Sequence, residues 1–187
     1  MKQILIAILV SCLVSVIQTS DDCPNIISRA GWDARVPEIV QYVAFPLRMV
    51  IIHHTVTAEC STMVGCRSMV KSIQTYHMDN LNFGDIGYNF LIGGNGKVYE
   101  GLGWHKQGAH TYGYNTKSVG IAFIGDFRKK LPTDAAIQAA KKLMACGVKL
   151  GELTSDYELY GAKQLSATES PGAQMYNRMM NWDHFTE

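Results

Sequence analysis

The stretch Met49-Val50-Ile51-Ile52-His53-His54-Thr55-Val56-Thr57 constrains this chain more than any other. Val50, Ile51 and Ile52 carry branched apolar side chains, which pack well on a pleated sheet and predict a strand buried on both faces. Alternation along a strand then sends His53 and His54 to opposite faces. One of the pair can face a cleft while the other belongs to the core or the sheet margin. A histidine at the end of a buried strand is a common way to present a metal ligand. The first expectation is therefore half of a zinc site, with the other half to be supplied elsewhere in the chain.

A length of 187 residues predicts one domain, large enough to bury a core unaided. Hydrophobic residues make up 47% and charged residues 18%, which places the chain among ordinary globular proteins. Lys plus Arg (17) nearly balances Asp plus Glu (16), so no strong field recruits nucleic acid or an anionic membrane. Residues 1–20 are expected to be a signal peptide: Lys2 is followed by an apolar run from Ile4 to Ile17, with small residues near Thr19 and Ser20. The run falls short of the ~20 apolar residues that a membrane span needs. Secretion is the expectation, with no membrane span and a folded domain over 21–187.

Cysteine usage agrees. Once Cys12 leaves with the signal peptide, Cys23, Cys60, Cys66 and Cys146 remain. An even number in a secreted chain predicts two disulfides, and three pairings are open. Cys60 and Cys66 are near enough to close a short loop, which would leave Cys23 with Cys146. No C-x-x-C pair argues for a zinc cluster.

In chain order, residues 22–43 read as an irregular arm, with Trp32 covering one edge of the core. From Ser61 to Asp79, Val64, Met69, Val70, Ile73 and His77 recur at helical steps, with His77 near the C-terminal end. Tyr88 to Ile92 and Lys97 to Glu100 read as strands joined by a hairpin at Asn95-Gly96. A polar and aromatic loop runs from Trp104 to Asn115, and Ser118 to Gly125 predicts another buried strand. Thr133 caps a helix that Gly151 stops. A short strand is expected at Tyr157 to Tyr160, and Pro171 is expected to start a last helix carrying Met175, Met179 and Trp182. The mixture predicts a single α/β domain with one mixed sheet and helices on its faces.

The ordered motifs Ile51-Ile52-His53-His54-Thr55, Tyr76-His77, Asp85-Ile86-Gly87-Tyr88-Asn89-Phe90, Tyr99-Glu100-Gly101-Leu102-Gly103-Trp104, Gly108-Ala109-His110-Thr111 and Ser166-Ala167-Thr168-Glu169-Ser170-Pro171-Gly172 resemble the peptidoglycan recognition proteins. That family is related to the phage-lysozyme-like N-acetylmuramoyl-L-alanine amidases, and the likeness is strongest to its short secreted insect receptors of the SA type. The resemblance implies a central sheet flanked by three helices, a groove for muramyl peptide, and the disulfides Cys60–Cys66 and Cys23–Cys146.

Catalytic members of that family hold zinc with the first His of the pair, a later His and a Cys, and a bound water cleaves the amide. The first ligand matches His53, but the other two positions are Ala162 and Ser170. A catalytic zinc needs about three protein ligands and lowers the pKa of its water from about 15.7 to roughly 7, worth on the order of 12 kcal/mol. Alanine has no donor and a neutral hydroxyl is a poor substitute for thiolate. The expectation is a degenerate site around His53, Tyr88, Ala162 and Ser170, with no metal, no cofactor and no amidase activity. The alternative is a hydrolase, either a zinc amidase with substitute ligands or a peptidase using Ser170 with His53 as base.

The resemblance places His53, His77, Tyr88 and His110 along the groove, in contact with stem peptide and sugar. Relatives that prefer diaminopimelate as the third stem residue carry Gly-Trp and Arg where this chain has Asn82-Phe83 and Leu102. That Arg pairs with the extra carboxylate, whereas Leu102 offers it no partner, so Lys-type peptidoglycan is the expected ligand. The implied partners are bacterial peptidoglycan, other secreted immune-recognition proteins and an extracellular serine-protease cascade.

Overall fold

The β-branched run at Val50–Ile52 is the middle of an eight-residue strand in which only Arg48 is exposed. The computed structural model describes residues 23–187. The expected signal peptide at 1–20, Cys12 included, lies outside the described residues. The elements in order are β1 (Ile26–Ile27), a 3-10 turn (Arg29–Trp32), β2 (Leu47–His54), α1 (Met63–Leu81), β3 (Phe90–Ile92), β4 (Val98–Glu100), β5 (Ser118–Phe123), α2 (Asp134–Lys149), β6 (Leu153–Gly161), a 3-10 turn (Ala162–Gln164) and α3 (Ala173–Met179). They form a six-stranded sheet in the order β1-β4-β3-β5-β2-β6. Only β3 and β4 pair antiparallel, joined at Asn95-Gly96, where Gly96 supplies the positive φ of 71° that the turn needs. The sheet is mixed, as the element pattern predicts.

Each face has its own core. Val50, Ile52, Val119, Ile121 and Phe123 pack beneath Leu143 of α2 and Met175 and Met179 of α3. On the other face Leu91, Ala122 and Tyr99 pack with Val70 and Ile73 of α1 and with Trp32, whose Nε1–H donates to the Glu100 carbonyl at 2.8 Å. Thr62 caps α1 by accepting from Gly65 N–H (3.1 Å), and Thr133 caps α2 by accepting from Ala136 N–H (3.2 Å). Cys60–Cys66 and Cys23–Cys146 are the two disulfides.

Four local expectations need correction. Val64 is 77% exposed, because six residues on from it, at Val70, the helix has turned to a face about 120° away. The last sheet strand runs from Leu153, well before Tyr157; Thr154, Ser155 and Asp156 hide it in sequence, and an edge strand tolerates them. Residues 22–43 include β1, which pairs parallel with β4 through Ile26 and Ile27. Pro171 does not open α3. Gly172 follows it at φ 93°, a conformation no helix uses, so the helix begins at Ala173 and ends before Trp182.

Candidate functional site

His53 and His54 leave β2 on opposite faces and do different work. Phe127 N–H donates to His54 Nδ1 at 3.1 Å, so that ring ties down the turn after β5. Burial lowers its pKa, and Asp126 partly offsets the effect. His53 turns to the α1 face, where its ring centroid lies 5.4 Å from Tyr88 and 5.2 Å from His110. Tyr88 lies 5.5 Å from His77, and His77 lies 5.5 Å from Phe83. Phe83, His77, Tyr88, His53 and His110 therefore form one continuous row of rings, although they come from four separate segments of chain.

Hydrogen bonds hold that row in place. Thr111 Oγ1 sits 3.1 Å from His53 Nε2 and 3.0 Å from His110 Nδ1. A hydroxyl has one proton to donate, so it can donate to only one of the two ring nitrogens, and the two rings share its hydrogen-bonding capacity. Asn115 Oδ1 accepts from the backbone N–H groups of both His110 (3.0 Å) and Thr111 (2.8 Å). Gly87 N–H donates to His77 Nδ1 at 2.9 Å, which requires that nitrogen to be unprotonated. His77 is thus a neutral acceptor within α1 rather than a charged cap on its dipole.

Burial keeps every ring of the row uncharged. It pushes His77 down to about 4 against an opposing pull from Asp85, and His110 down to about 3. It holds His53 well below the usual imidazole range, with His110 and His54 adding to the effect, and raises Tyr88 to about 12. The site is an apolar, neutral surface with polar tips, suited to amide and hydroxyl groups.

Two clefts adjoin the row. One of about 380 Å³ lies between α1 and the end of β2, lined by Thr55, Thr57, Ile73, Tyr76, His77 and Tyr88. Val56 also lines it, at a φ of 55° that β-branched residues rarely adopt, held there by its N–H bond to Gly125 O (2.9 Å). The second, of about 270 Å³, has Phe83 and Leu102 in its wall, Leu102 being 6% exposed. Asn82 is the exposed C-cap of α1 at a φ of 55°. Trp104 belongs to the opposite side of the sheet, packed 4.6 Å from Phe90.

The last pair of the β2–β6 ladder is Ile52 with Gly161, after which β2 continues to His53 while Ala162 opens a 3-10 turn. Ser170 Oγ accepts the backbone N–H of His54 at 3.0 Å, while His53 Nε2 is engaged by Thr111. The two are not hydrogen-bonded to each other, and Ser170 acts as a strut for β2.

Sequence reasoning missed Thr111, Asn115 and Gly120 as parts of this site. Gly120 carried a signal: a glycine inside a strand run marks a close approach by something else. A Cβ there would lie 2.4 Å from His110 Cδ2 and 2.5 Å from its Cγ. Gly120→Ala is therefore expected to displace the His110 ring and cost about 1–3 kcal/mol, read by urea unfolding. Wild-type stability in that variant would show that the ring has room to move.

A mixed sheet between helices, with a groove at the carboxyl end of its buried strand β2, defines a domain of the amidase fold class. The sequence profile of the N-acetylmuramoyl-L-alanine amidase family matches residues 44–173. A peptidoglycan recognition protein of Trichoplusia ni is 50% identical over 171 residues, covering 91% of this chain and 93% of its own. The solved Drosophila peptidoglycan recognition protein SA superposes with a TM-score of 0.87 at 50% identity, over 88% of this chain and 95% of that one. A peptidoglycan recognition protein LE, solved in complex with tracheal cytotoxin, a monomeric diaminopimelic acid-type peptidoglycan, matches at a TM-score of 0.85 and 40% identity, over 86% and 95%. This chain belongs to the peptidoglycan recognition protein family.

Proposed function

We propose that this chain is a secreted receptor that binds bacterial peptidoglycan, with a preference for the Lys type, and does not cleave it. The observation that supports the reading is the unbroken neutral row Phe83–His77–Tyr88–His53–His110, beside which the family resemblance would put the zinc positions at His53, the Ala162 methyl group and the engaged Ser170 hydroxyl. Those three groups do not fit a catalytic zinc, which needs about three donors and an open position. Among the described residues, no group of three or more His, Cys, Asp or Glu is arranged to hold a metal. His53, His77, Asn82, Phe83, Tyr88, Leu102 and His110 would contact the muramyl peptide. Support for a peptidoglycan ligand comes from the solved relative that holds a peptidoglycan monomer.

Residues 1–20 would be removed on export. No helix among the described residues is long and apolar enough to cross a membrane. Family resemblance further supports hand-over of the signal to other secreted recognition proteins and a serine-protease cascade.

The Lys preference rests on charge. Arg29 donates to the carbonyl of Gly101, next to Leu102, but its guanidinium is committed to Asp85 (2.9 Å) and to the carbonyls of Gly101 (2.7 Å) and Arg35 (2.9 Å). Among the described residues a diaminopimelate carboxylate therefore finds no free cation in that wall and loses hydration. Calorimetric titration should show tighter binding of Lys-type than diaminopimelate-type muropeptide. Leu102→Arg should move the ratio about tenfold or more toward diaminopimelate, the worth of a charge-assisted hydrogen bond. Equal affinity of the wild type for both ligands would overturn the preference, and binding of neither would overturn the receptor reading.

A further inference from the structure

We infer that the Lys129–Lys130 peptide bond, in the loop between β5 and α2, is a processing site for a trypsin-like endoprotease. Cleavage there leaves a two-chain protein held together by Cys23–Cys146, with the whole aromatic row on the first chain. Such a site stands whether or not the row binds peptidoglycan.

Arg128-Lys129-Lys130 is a run of three exposed basic residues slung between two anchored points. Before it, Phe127 is buried in the core and donates its N–H to His54 Nδ1 at 3.1 Å. After it, the Thr133 hydroxyl donates to the Gly94 carbonyl at 2.9 Å. Between them, no backbone group of residues 129–132 makes a hydrogen bond among the described residues. Every other described Lys or Arg lies in a helix or strand or has its backbone tied, as Arg35 is to Gln74 and Lys163 to Ser170. A protease binds several consecutive residues as an extended strand, so segments committed to local hydrogen bonds are poor substrates until they open. The loop also borders a cleft of about 910 Å³ that Lys163, Thr168 and Ala173 line as well, which leaves space beside it.

Side-chain pairing selects the bond. Arg128 is held by Asp126 and Glu169, and Lys130 by Glu59, whereas Lys129 enters no ion pair among the described residues. A trypsin-like specificity pocket takes an extended Lys or Arg against its own carboxylate, which a paired side chain reaches only by giving up its partner. Hydrolysis consumes one water and leaves a carboxylate on Lys129 and an α-ammonium on Lys130. The two products do not part. β6 falls on the second chain, yet it stays paired with β2 from Met49–Glu158 to Ile52–Gly161, and Cys23–Cys146 crosses the cut. Phe83, His77, Tyr88, His53 and His110 all precede Lys129, as do Thr111 and Asn115, which hold the row. The new termini appear instead beside Arg128, whose pairing with Glu169 spans the cut. Cleavage therefore changes what this corner presents to other proteins and spares the groove.

The test is limited digestion of the folded, disulfide-bonded protein with trace trypsin. The first cut should fall after Lys129, giving a species that runs as one band without reductant and as two with it. Terminal sequencing should find the second chain beginning at Lys130. Lys129→Gln should slow that first cut about tenfold or more, because the protease's specificity pocket loses its charged partner. Lys129 is exposed and unpaired, so its substitution leaves the fold as it is. Imidazole nitrogen signals of His53, His77 and His110, followed by NMR, should be unmoved in the nicked form. A first cut at any other bond, an unchanged rate in Lys129→Gln, or fragments that separate without reductant would overturn the site. Displaced imidazole signals would overturn the sparing of the groove.

Discussion

Purified wild-type protein dialysed against micromolar zinc is expected to retain no stoichiometric metal and to release no stem peptide from muropeptide, whereas Ala162→His combined with Ser170→Cys should bind one equivalent. The register makes this specific. The β2–β6 ladder ends at Ile52–Gly161, one residue before both His53 and Ala162, and Ser170 reaches the same end of β2 through its bond to His54 N–H. A His and a thiolate introduced there would complete a three-ligand set with His53, whose Nε2 bonds Thr111 and whose Nδ1 is left for a metal. Each single variant supplies only two donors and should bind far more weakly than the pair. The competing effect is steric. Ala162 is fully buried, so an imidazole there must push the Ala162–Gln164 turn outward. Metal content by atomic absorption, with unfolding midpoints measured with and without zinc, separates the two, since a metal that binds the folded chain raises the midpoint as its free concentration exceeds Kd. Stoichiometric zinc in the wild type, with stem peptide released, would restore the enzyme reading.

Which parts of this structure could be read from sequence follows from the range of the forces involved. The strand β2, the Asn95-Gly96 hairpin and the Thr133 cap rest on local chemistry, so their residues announce them. The split between His53 and His54 needs nothing but strand alternation. Residues 23–43 announce little beyond a buried Trp32, because their placement depends on partners far along the chain: Arg29 on Asp85 and Gly101, Trp32 on Glu100, Arg35 on Gln74. Gln74 illustrates the limit. A glutamine in a helix reads as solvated, yet it is fully buried because Asp85 and the Arg35 backbone satisfy its amide. The groove residues became legible only as a set in family order, since a lone His77 is as well explained by a helix cap. Even that set omits Gly120, which makes room for the His110 ring, and Asn115, which holds the His110 and Thr111 backbones and itself lines the cavity past Phe83.

Lowering the pH should destabilise this fold earlier than carboxylate protonation alone would, beginning near pH 6.5. His77 and His110 have folded-state values of about 4 and about 3, below the ordinary 6.5, and His53 is depressed as well. Above pH 6.5 both folded and unfolded chains carry these rings neutral, and the contribution to stability is complete. As pH falls below 6.5 the unfolded chain binds protons that the folded chain refuses, so stability drops, and the loss continues until the folded rings titrate near pH 4 to 3. At pH 5 the unfolded value is about one and a half units away, so each ring that stays neutral costs about 2 kcal/mol at about 1.36 kcal/mol per unit. Asp126, whose pairing with Arg128 pulls its carboxyl down to about 2, acts in the same direction but only below the usual carboxylate range, near pH 4. The two windows are therefore separable. Urea unfolding of the wild type at pH 7.5, 6.0 and 5.0 should show a falling free energy, and His77→Gln should show a shallower fall, by about 2 kcal/mol at pH 5. Glutamine can still accept the Gly87 N–H bond, which keeps the comparison on titration rather than on a lost contact. Muropeptide affinity, in contrast, should be flat from pH 6 to 8, because no ring in the row changes charge in the folded protein over that range. Parallel pH slopes for wild type and variant would mean that His77 is as basic in the folded chain as in the unfolded one, and the neutral groove would have to be abandoned.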